Sequence, residues 1–393
     1  MEQNSVSSAQ GDSHPSGAAP APAGRTARGG ARAAAVSSRT GDAAARNVSV
    51  QYLRGLAALS VMLYHSSYYA EHILGVSGWE TAFDGRFAVV GVAVFFAISG
   101  MLMADLVVRT DPWRFLGHRI VRIYPAFLLA AAIAAPLTAY AGGWWPSFHL
   151  LGLLLAPAGR RGYYLGIEWT LVFECTYYVV LFAIAAAGLQ RHLNRIALVW
   201  LAMLAAAPFL TGWDDTMFVR LDSLWLAPVD VAFAGGLVVP WLARSVPIPV
   251  GTGVLACGAV LAMPPTDPVV ARWAAGAAAV LLVLDAVRMK IPRGAVPGLD
   301  TLGDWSYALY LVHVPVFLTL FPLWPKFAGT AAAWPCAVAL ALALAATLGT
   351  LDVRLYRRLR GAVNDLPEAV RRRRVNLYVG VFVVAAVIGG ALA

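Results

Sequence analysis

The sequence predicts an all-α protein, a polytopic membrane bundle of about ten transmembrane helices with one additional C-terminal helix. Hydrophobic residues make up 60% of the 393-residue chain and charged residues only 13%, and the mean hydropathy is +0.68. A soluble chain of this length needs more charge to cover its surface. The apolar residues also fall into runs of about 20, the length at which a helix crosses a bilayer.

The first 48 residues differ from the rest in composition. They are rich in Ala, Gly, Ser, Pro and Arg, and they contain no aromatic residue. Such a segment cannot bury a core, so we expect a disordered basic tail over 1–48. We expect a membrane domain over 49–352, a basic cytoplasmic segment over 353–375 and the additional C-terminal transmembrane helix over 376–393.

Ten apolar runs in the main body are long enough to be spans. They lie near 50–69, 87–108, 123–140, 168–188, 196–211, 224–243, 247–264, 270–287, 303–322 and 329–351. The run over 376–393 is the eleventh. Residues 148–157 are too short to span and are expected to be interfacial or re-entrant.

Charge in the connecting loops predicts the orientation. The tail and every second loop are rich in arginine, whereas most of the loops between them are acidic or neutral. By the positive-inside rule, this alternation predicts a multi-pass protein of the cell membrane with a cytoplasmic N-terminus. The net charge of +9 is therefore a topology signal, and we expect no nucleic-acid partner.

The first apolar run carries two ionisable residues, Arg54 and His65. Ionisable groups inside a membrane are costly and usually face a protein interior or an aqueous cavity. Eleven residues correspond to three helical turns plus about 20°, so the two side chains share one face, about 16 Å apart along the axis. We therefore predict that Arg54 binds an anion near one end of this face and that His65 transfers a proton near the other.

Polar residues recur in the second and third runs. Ser99 and Gly100 are small enough to allow close helix packing, and Ser99 is alternatively a donor into a cavity. Arg119 and Arg122, three residues apart, share a helix face at the mouth of the third span. Two guanidinium groups there suit phosphate, with a topology or lipid-anchoring role as the alternative.

Glu174, inside the fourth run, needs a partner; His65, Arg54 and Tyr178 are candidates. In the ninth run the spacing of Ser306, Tyr310 and His313 predicts one polar stripe. A structural role in joining helices is the alternative for each of these groups.

The sequence contains no glycine-rich phosphate loop, zinc spacing or dinucleotide motif. Cys175, Cys257 and Cys336 have no pairing or metal-binding spacing. We therefore expect no metal and no tightly bound cofactor.

Five motifs, in order over about residues 50–350, resemble those of the acyltransferase 3 family of membrane O-acyltransferases. They are Arg54 and His65 separated by ten residues, residues 95–100, Arg119 and Arg122 before Ile123 and Pro125, residues 169–178 from Trp169 to Tyr178, and residues 302–315. The chain departs from the family at Ala93 and Val94, where many members carry Asp, and at 356–360, which is basic.

The resemblance implies transfer of an acyl group, acetyl in the first instance, from cytosolic acyl-coenzyme A to a hydroxyl of a sugar, a glycan or a glycosylated small molecule of the bacterial cell envelope. From the chemistry of the residues we expect His65 to be the general base, since an imidazole titrates near neutral pH, Glu174 to fix its tautomer as in a triad, and Arg54 to stabilise donor phosphate or developing charge on the thioester oxygen. Arg119 and Arg122 are expected to bind donor phosphates. The expected substrate-lining residues are Ser99, Trp169, Tyr178, Ser306, Tyr310 and His313.

Two alternatives stay open at this point. The transfer itself proceeds either in one step or through a transiently acylated residue. The competing function is that of a transporter or flippase for a lipid-linked or polar solute, in which the same polar face lines the route. A purely structural scaffold would leave the ionisable groups inside the membrane unexplained.

Overall fold

The chain is almost entirely helical over the residues described by the computed structural model, which are 47–142, 150–159, 163–210, 220–264, 266–325 and 329–391. Within these ranges the β interaction is one isolated antiparallel bridge between Ala158 and Arg220. The predicted all-α class is confirmed. The tail predicted over 1–48 lies outside the described residues except for its last two positions.

Twelve α-helices are found among the described residues. They are α1 (Val48–Tyr69), α2 (Gly85–Arg109), α3 (Pro112–Tyr140), α4 (Leu150–Leu153), α5 (Trp169–Ala186), α6 (Leu193–Leu210), α7 (Asp230–Ser245), α8 (Thr252–Ala262), α9 (Pro268–Arg288), α10 (Leu299–Leu323), α11 (Thr330–Asp365) and α12 (Glu368–Ala391). A π-helical turn, Ala70–Leu74, extends α1.

Seven helical stretches among the described residues are long and apolar enough to cross a membrane. They are Trp79–Arg109, Pro112–Tyr140, Trp169–Ala186, Gln190–Phe209, Pro268–Arg288, Leu299–Leu323 and Thr330–Asp365. The protein is a multi-pass membrane protein, but the expected count of about ten spans is not confirmed. Helices α7 and α8 have only 16 and 11 residues, and α1 carries polar residues that lower its hydropathy.

Two helices begin or end well outside their predicted spans. Helix α3 starts at Pro112, because Asp111 caps it by accepting a hydrogen bond from the Arg114 N–H and proline is favoured at the first helical position. Arg119 and Arg122 therefore lie inside the helix and not before it.

Helix α11 has 36 residues, about 54 Å at 1.5 Å per residue. It therefore continues through much of the region 353–375, which was predicted to be a separate basic segment.

Helices α2, α5 and α10 form the centre of the bundle. Their spans are 67%, 72% and 67% buried, against 28%, 22% and 28% for the spans that contain α3, α6 and α11. Close backbone contacts join the centre to its neighbours. A Cβ atom on Gly100 of α2 would lie 2.2 Å from the Phe233 carbonyl oxygen of α7, and one on Gly303 of α10 would lie 2.2 Å from the Gln51 carbonyl oxygen of α1. The packing role expected for Gly100 is confirmed.

The additional C-terminal helix, α12, packs against α3. The Trp113 indole N–H donates to the Asn376 side-chain oxygen at 2.9 Å, and the hydroxyls of Tyr124 and Tyr378 lie 3.0 Å apart. Phe382 is buried among the core residues. This helix is thus an integral part of the bundle.

Candidate active site

Two cavities meet in the centre of the bundle. The first, of about 170 Å³, lies among α1, α2, α3, α5 and α10, and we call it the arginine chamber because Arg54, Arg119 and Arg122 line it. The second, of about 650 Å³, is lined by residues of α1, α2, α9, α10 and the segment before α5, and we call it the histidine chamber because His65 lines it. The structure thus places Arg54 and His65, from one face of α1, in adjacent cavities.

The arginine chamber contains the predicted acidic residue. Glu174 accepts hydrogen bonds from the Tyr178 hydroxyl and from the Ser99 hydroxyl, at 3.4 Å. Ser306 also lines this chamber, but its hydroxyl donates to the Gly303 carbonyl at 2.8 Å. The candidate residues of α2, α5 and α10 are therefore brought together here.

The two arginines of α3 have different surroundings. Arg122 pairs with Asp352 of α11 at 2.5 Å, and its guanidinium lies over the ring of Tyr307 at 4.9 Å. The Arg119 guanidinium lies over the ring of Tyr178 at 5.8 Å, and its buried Nε has no hydrogen-bond partner among the described residues. Arg122 is already neutralised within the protein, so Arg119 is the better placed of the two to bind an anionic ligand.

Aromatic and charged groups line the histidine chamber. Tyr64, Tyr68 and Trp169 contribute rings, and the Arg272 guanidinium lies over the Trp169 ring at 5.0 Å. Arg86 forms an ion pair with Asp84 at the same cavity. Trp169 was expected to line a substrate path, whereas the sequence interpretation missed Arg272, although an arginine inside an apolar run of α9 was a signal.

The partner of His65 is His313 of α10. The His313 Nε2 atom lies 3.1 Å from the His65 Nδ1 atom. Glu174, the partner expected from the sequence, lines the other chamber. His313 is completely buried. The polar stripe predicted on α10 is divided between the two chambers: Ser306 lines the arginine chamber and Tyr310 lines both. His313 contacts His65.

Two backbone carbonyls assign the proton positions on this pair. The Nδ1 atoms of His65 and His313 each lie 3.0 Å from the carbonyl oxygen four residues earlier in the same helix. A carbonyl oxygen only accepts, so each neutral ring carries its proton on Nδ1. The single His65 Nδ1–H is then shared between two acceptors, the Val61 carbonyl oxygen and the His313 Nε2 atom, and the His65 Nε2 is left with an unprotonated lone pair. A neutral imidazole held in this tautomer is a general base.

No group of His, Cys, Asp and Glu side chains among the described residues is arranged to hold a metal ion. The arrangement instead places an oriented imidazole beside a cavity lined by guanidinium groups. Such a combination suits acid–base chemistry on a substrate that carries negative charge elsewhere in its structure.

Comparison with known proteins identifies the family of the chain. The acyltransferase 3 family, described as an acyltransferase domain, matches residues 47–350. The chain belongs to the acyltransferase 3 family. As a membrane acyltransferase of this family it is a transferase that moves acyl groups, and the region matched by the family contains every candidate site residue. Helix α12 and the end of α11 lie beyond it.

The chain is also similar to three curated proteins, of which two are named as a transacylase or an acyltransferase. The chain is 29% identical over 334 residues to nodulation protein 10 of Rhizobium leguminosarum bv. viciae, covering 69% of this chain and 83% of the relative. It is 26% identical over 319 residues to the putative membrane-bound transacylase BcsY of Komagataeibacter xylinus (69% and 72%). It is 28% identical over 341 residues to the acyltransferase MdmB of Streptomyces mycarofaciens (76% and 86%). No solved structure gives a significant match.

Proposed function

We propose that this acyltransferase moves an acetyl group from acetyl-coenzyme A, bound through the arginine chamber, to a hydroxyl of a sugar or glycan acceptor in the histidine chamber. The observation that carries the proposal is the set of contacts that His65 makes beside the histidine chamber. The His65 Nδ1–H is engaged by His313 and the Val61 carbonyl, which leaves Nε2 to take a proton beside a cavity large enough for an acceptor.

The donor is proposed from the charge of the arginine chamber. Coenzyme A carries several phosphate charges, and guanidinium groups bind phosphate bidentately. Arg119 is the principal phosphate ligand in this proposal, because Arg122 is paired with Asp352. Arg54, at the wall nearest the start of α1, stabilises phosphate or the developing charge on the thioester oxygen.

The acceptor is proposed from the lining of the histidine chamber. A sugar presents apolar C–H faces and a rim of hydroxyls, which suit aromatic rings and a few charged groups respectively. Trp169, Tyr64 and Tyr68 provide the rings, and Arg272 and the Asp84–Arg86 pair provide charge. A glycan or a glycosylated small molecule is therefore the acceptor class that we favour.

The reaction needs no cofactor in this proposal, because a thioester is already activated. The acceptor oxygen attacks the thioester carbonyl while its proton moves to His65 Nε2. The C–S bond then breaks, and the coenzyme A sulfur takes the proton from the imidazolium, which restores the neutral ring. A general base in this position contributes roughly 10²- to 10⁴-fold.

The same proposal includes the orientation of the chain. Coenzyme A is a cytosolic donor, so the arginine chamber faces the cytoplasm, as does the Arg54 end of α1, and the N-terminus is cytoplasmic. The histidine chamber then takes acceptors from the opposite side. The arginines in the first turns of α3 and in the last turns of α11 support this orientation through the positive-inside rule.

The test is to incubate purified protein with radiolabelled acetyl-coenzyme A and a panel of glycans, and to follow label into the glycan and release of free coenzyme A. We expect labelled product and no label transfer in His65→Ala. Movement of an unmodified solute across proteoliposomes, without transfer to any glycan, would instead identify a transporter. Label that stays on the denatured protein would indicate the two-step route.

A further inference from the structure

Two side chains form the wall shared by the chambers. Val92 of α2 and Tyr310 of α10 line both cavities, and both are only 8% exposed. The Tyr310 ring packs edge-on against Phe95, with centroids 5.9 Å apart, and its centroid lies 5.7 Å from that of His313. Any group that passes from the arginine chamber to His65 therefore meets this partition.

A directed chain of hydrogen bonds holds Tyr310 in place. The hydroxyls of Tyr310 and Thr170 lie 2.8 Å apart, and the Thr170 hydroxyl donates to the Ile167 carbonyl at 3.0 Å. A hydroxyl has one hydrogen, so Tyr310 donates to Thr170. The Tyr310 hydroxyl therefore donates its one hydrogen to Thr170 and not to a substrate.

The segment at the end of this chain is a wall of the histidine chamber. Gly166 and Ile167 line that cavity. The buried Glu168 carboxylate fixes the segment by accepting from the Leu165 N–H at 2.6 Å and the Ile167 N–H at 3.1 Å. Gly166 has a φ of +80°, and a Cβ there would lie 3.3 Å from Val314 of α10. The partition is therefore tied to a surface that an acceptor would touch.

A partition at this position matters because water competes with the acceptor. If water reaches the thioester, its oxygen bonds to the carbonyl carbon, the C–S bond breaks, and free acetate and coenzyme A result. The histidine chamber, at about 650 Å³, has room for many water molecules when no acceptor fills it. A transferase with an open passage between the chambers would therefore lose its donor to hydrolysis.

We propose that Tyr310, held by its hydrogen bond to Thr170, makes acyl transfer faster than hydrolysis of the thioester. We call this hydrogen bond the latch. Tyr310 separates the thioester from water until an acceptor contacts Gly166 and Ile167 and breaks the latch. This inference rests on the proposed function, because it assigns the thioester to the arginine chamber and the acceptor to the histidine chamber. The latch is one hydrogen bond, whose net contribution is small enough for acceptor binding to overcome.

The experiment compares Tyr310→Phe and Thr170→Val with the wild type, using purified protein and acetyl-coenzyme A. Both substitutions remove the same hydrogen bond and keep the bulk of the partition. Free coenzyme A is measured without acceptor to give hydrolysis, and acetylated glycan is measured with acceptor to give transfer. We expect hydrolysis without acceptor to rise about tenfold in both variants, which is the population change for loss of one such bond, while transfer continues.

Two matched variants control for folding and for loss of the hydroxyl as such. Thr170→Ser keeps the hydroxyl and should keep the wild-type ratio of hydrolysis to transfer. Thr176→Val removes a buried hydroxyl from the same helix that donates only to the Val172 carbonyl, at 2.7 Å, and it should leave the ratio unchanged. Thermal unfolding in detergent checks that every variant is folded.

The outcomes separate this inference from the proposed function. A wild-type ratio in both Tyr310→Phe and Thr170→Val, with transfer intact, overturns the latch and leaves the acetyltransferase proposal standing. If the wild-type protein neither acetylates a glycan nor releases coenzyme A, the proposed function fails and the latch fails with it. An increased ratio in Thr176→Val as well would show a general loosening of α5 and would also overturn the latch.

Discussion

The arginine chamber and the histidine chamber are neighbours that differ in size and in the groups that line them. The first is small, enclosed by long helices and lined by guanidinium groups, whereas the second is about four times larger and includes non-helical backbone before α5. His65 lies on the opposite side of Val92 and Tyr310 from Arg54, Arg119 and Arg122. The two chambers therefore separate the groups proposed to bind a polyanionic donor from the imidazole proposed as the base.

The difference extends to how each chamber holds its polar groups. In the arginine chamber, Arg122 pairs with Asp352 of α11. Glu174 accepts a hydrogen bond from Tyr178, one turn later in α5. In the histidine chamber, His65 is oriented by a second histidine and a backbone carbonyl. We therefore expect substitutions in the first chamber to affect donor binding and those in the second to affect the chemical step or acceptor binding.

The largest effect is expected for His65→Ala, since it removes the proposed base. Transfer should fall by at least about 100-fold, measured with radiolabelled acetyl-coenzyme A and a glycan acceptor, while binding of coenzyme A by calorimetry stays unchanged. His192→Ala, in a turn outside both chambers, is the control. Full transfer by His65→Ala would remove the histidine chamber as the site of catalysis.

His313 is a positioning residue in this comparison, and His313→Leu should lower kcat by about 10- to 100-fold, the range found when the outer partner of a metal-bound histidine is removed. The KM for acetyl-coenzyme A should not change. His313→Gln offers an amide oxygen that accepts from the His65 Nδ1–H and should recover part of kcat. Equal kcat values for the Leu and Gln variants would contradict the hydrogen-bond role.

Substitutions of the two arginines of α3 are expected to have different effects: one on the affinity for coenzyme A, the other on the stability of the fold. Arg119→Ala should raise the Kd for coenzyme A by roughly 10- to 100-fold, the effect of losing a hydrogen bond between charged groups, with little change in Tm. Arg122→Ala should mainly lower Tm, because it leaves the buried Asp352 carboxylate unpaired.

Arg122→Met combined with Asp352→Leu tests this assignment, because it removes both charges and should restore Tm. Calorimetry and thermal unfolding on the same preparations provide the measurements. An unchanged Kd in Arg119→Ala would move the donor phosphates out of the arginine chamber.

The smallest effect is expected at the aromatic wall of the histidine chamber. Trp169→Ala should raise the KM for the glycan acceptor by about tenfold, with the KM for acetyl-coenzyme A unchanged, because the ring and its contact with Arg272 are lost. Trp169→Phe should have a smaller effect, and Trp241→Ala, in α7 and outside both chambers, none. A rise in the donor KM alone would reverse the assignment of the two chambers.

The helical class could be predicted from the sequence, and so could the presence of polar residues around interior cavities, because both depend on local pattern. Apolar runs of membrane length indicate helices whatever surrounds them, and ionisable residues within such runs indicate a functional interior. Arg54, Arg119 and Glu174 line the arginine chamber, His65 lines the histidine chamber, and Tyr310 lines both. Helix ends were less predictable, since α3 and α11 extend beyond their apolar cores through residues that favour helix without being hydrophobic.

Only the tertiary structure decided which of these residues meet. Spacing along one helix shows which side chains share a face, but the partner on another helix depends on how the helices pack. The pairing of His65 with His313, the neutralisation of Arg122 by Asp352 and the partition at Val92 and Tyr310 each join residues more than 200 positions apart. The contact between His65 and His313 joins α1 and α10, which also approach closely at Gly303, and no local pattern specifies such a contact.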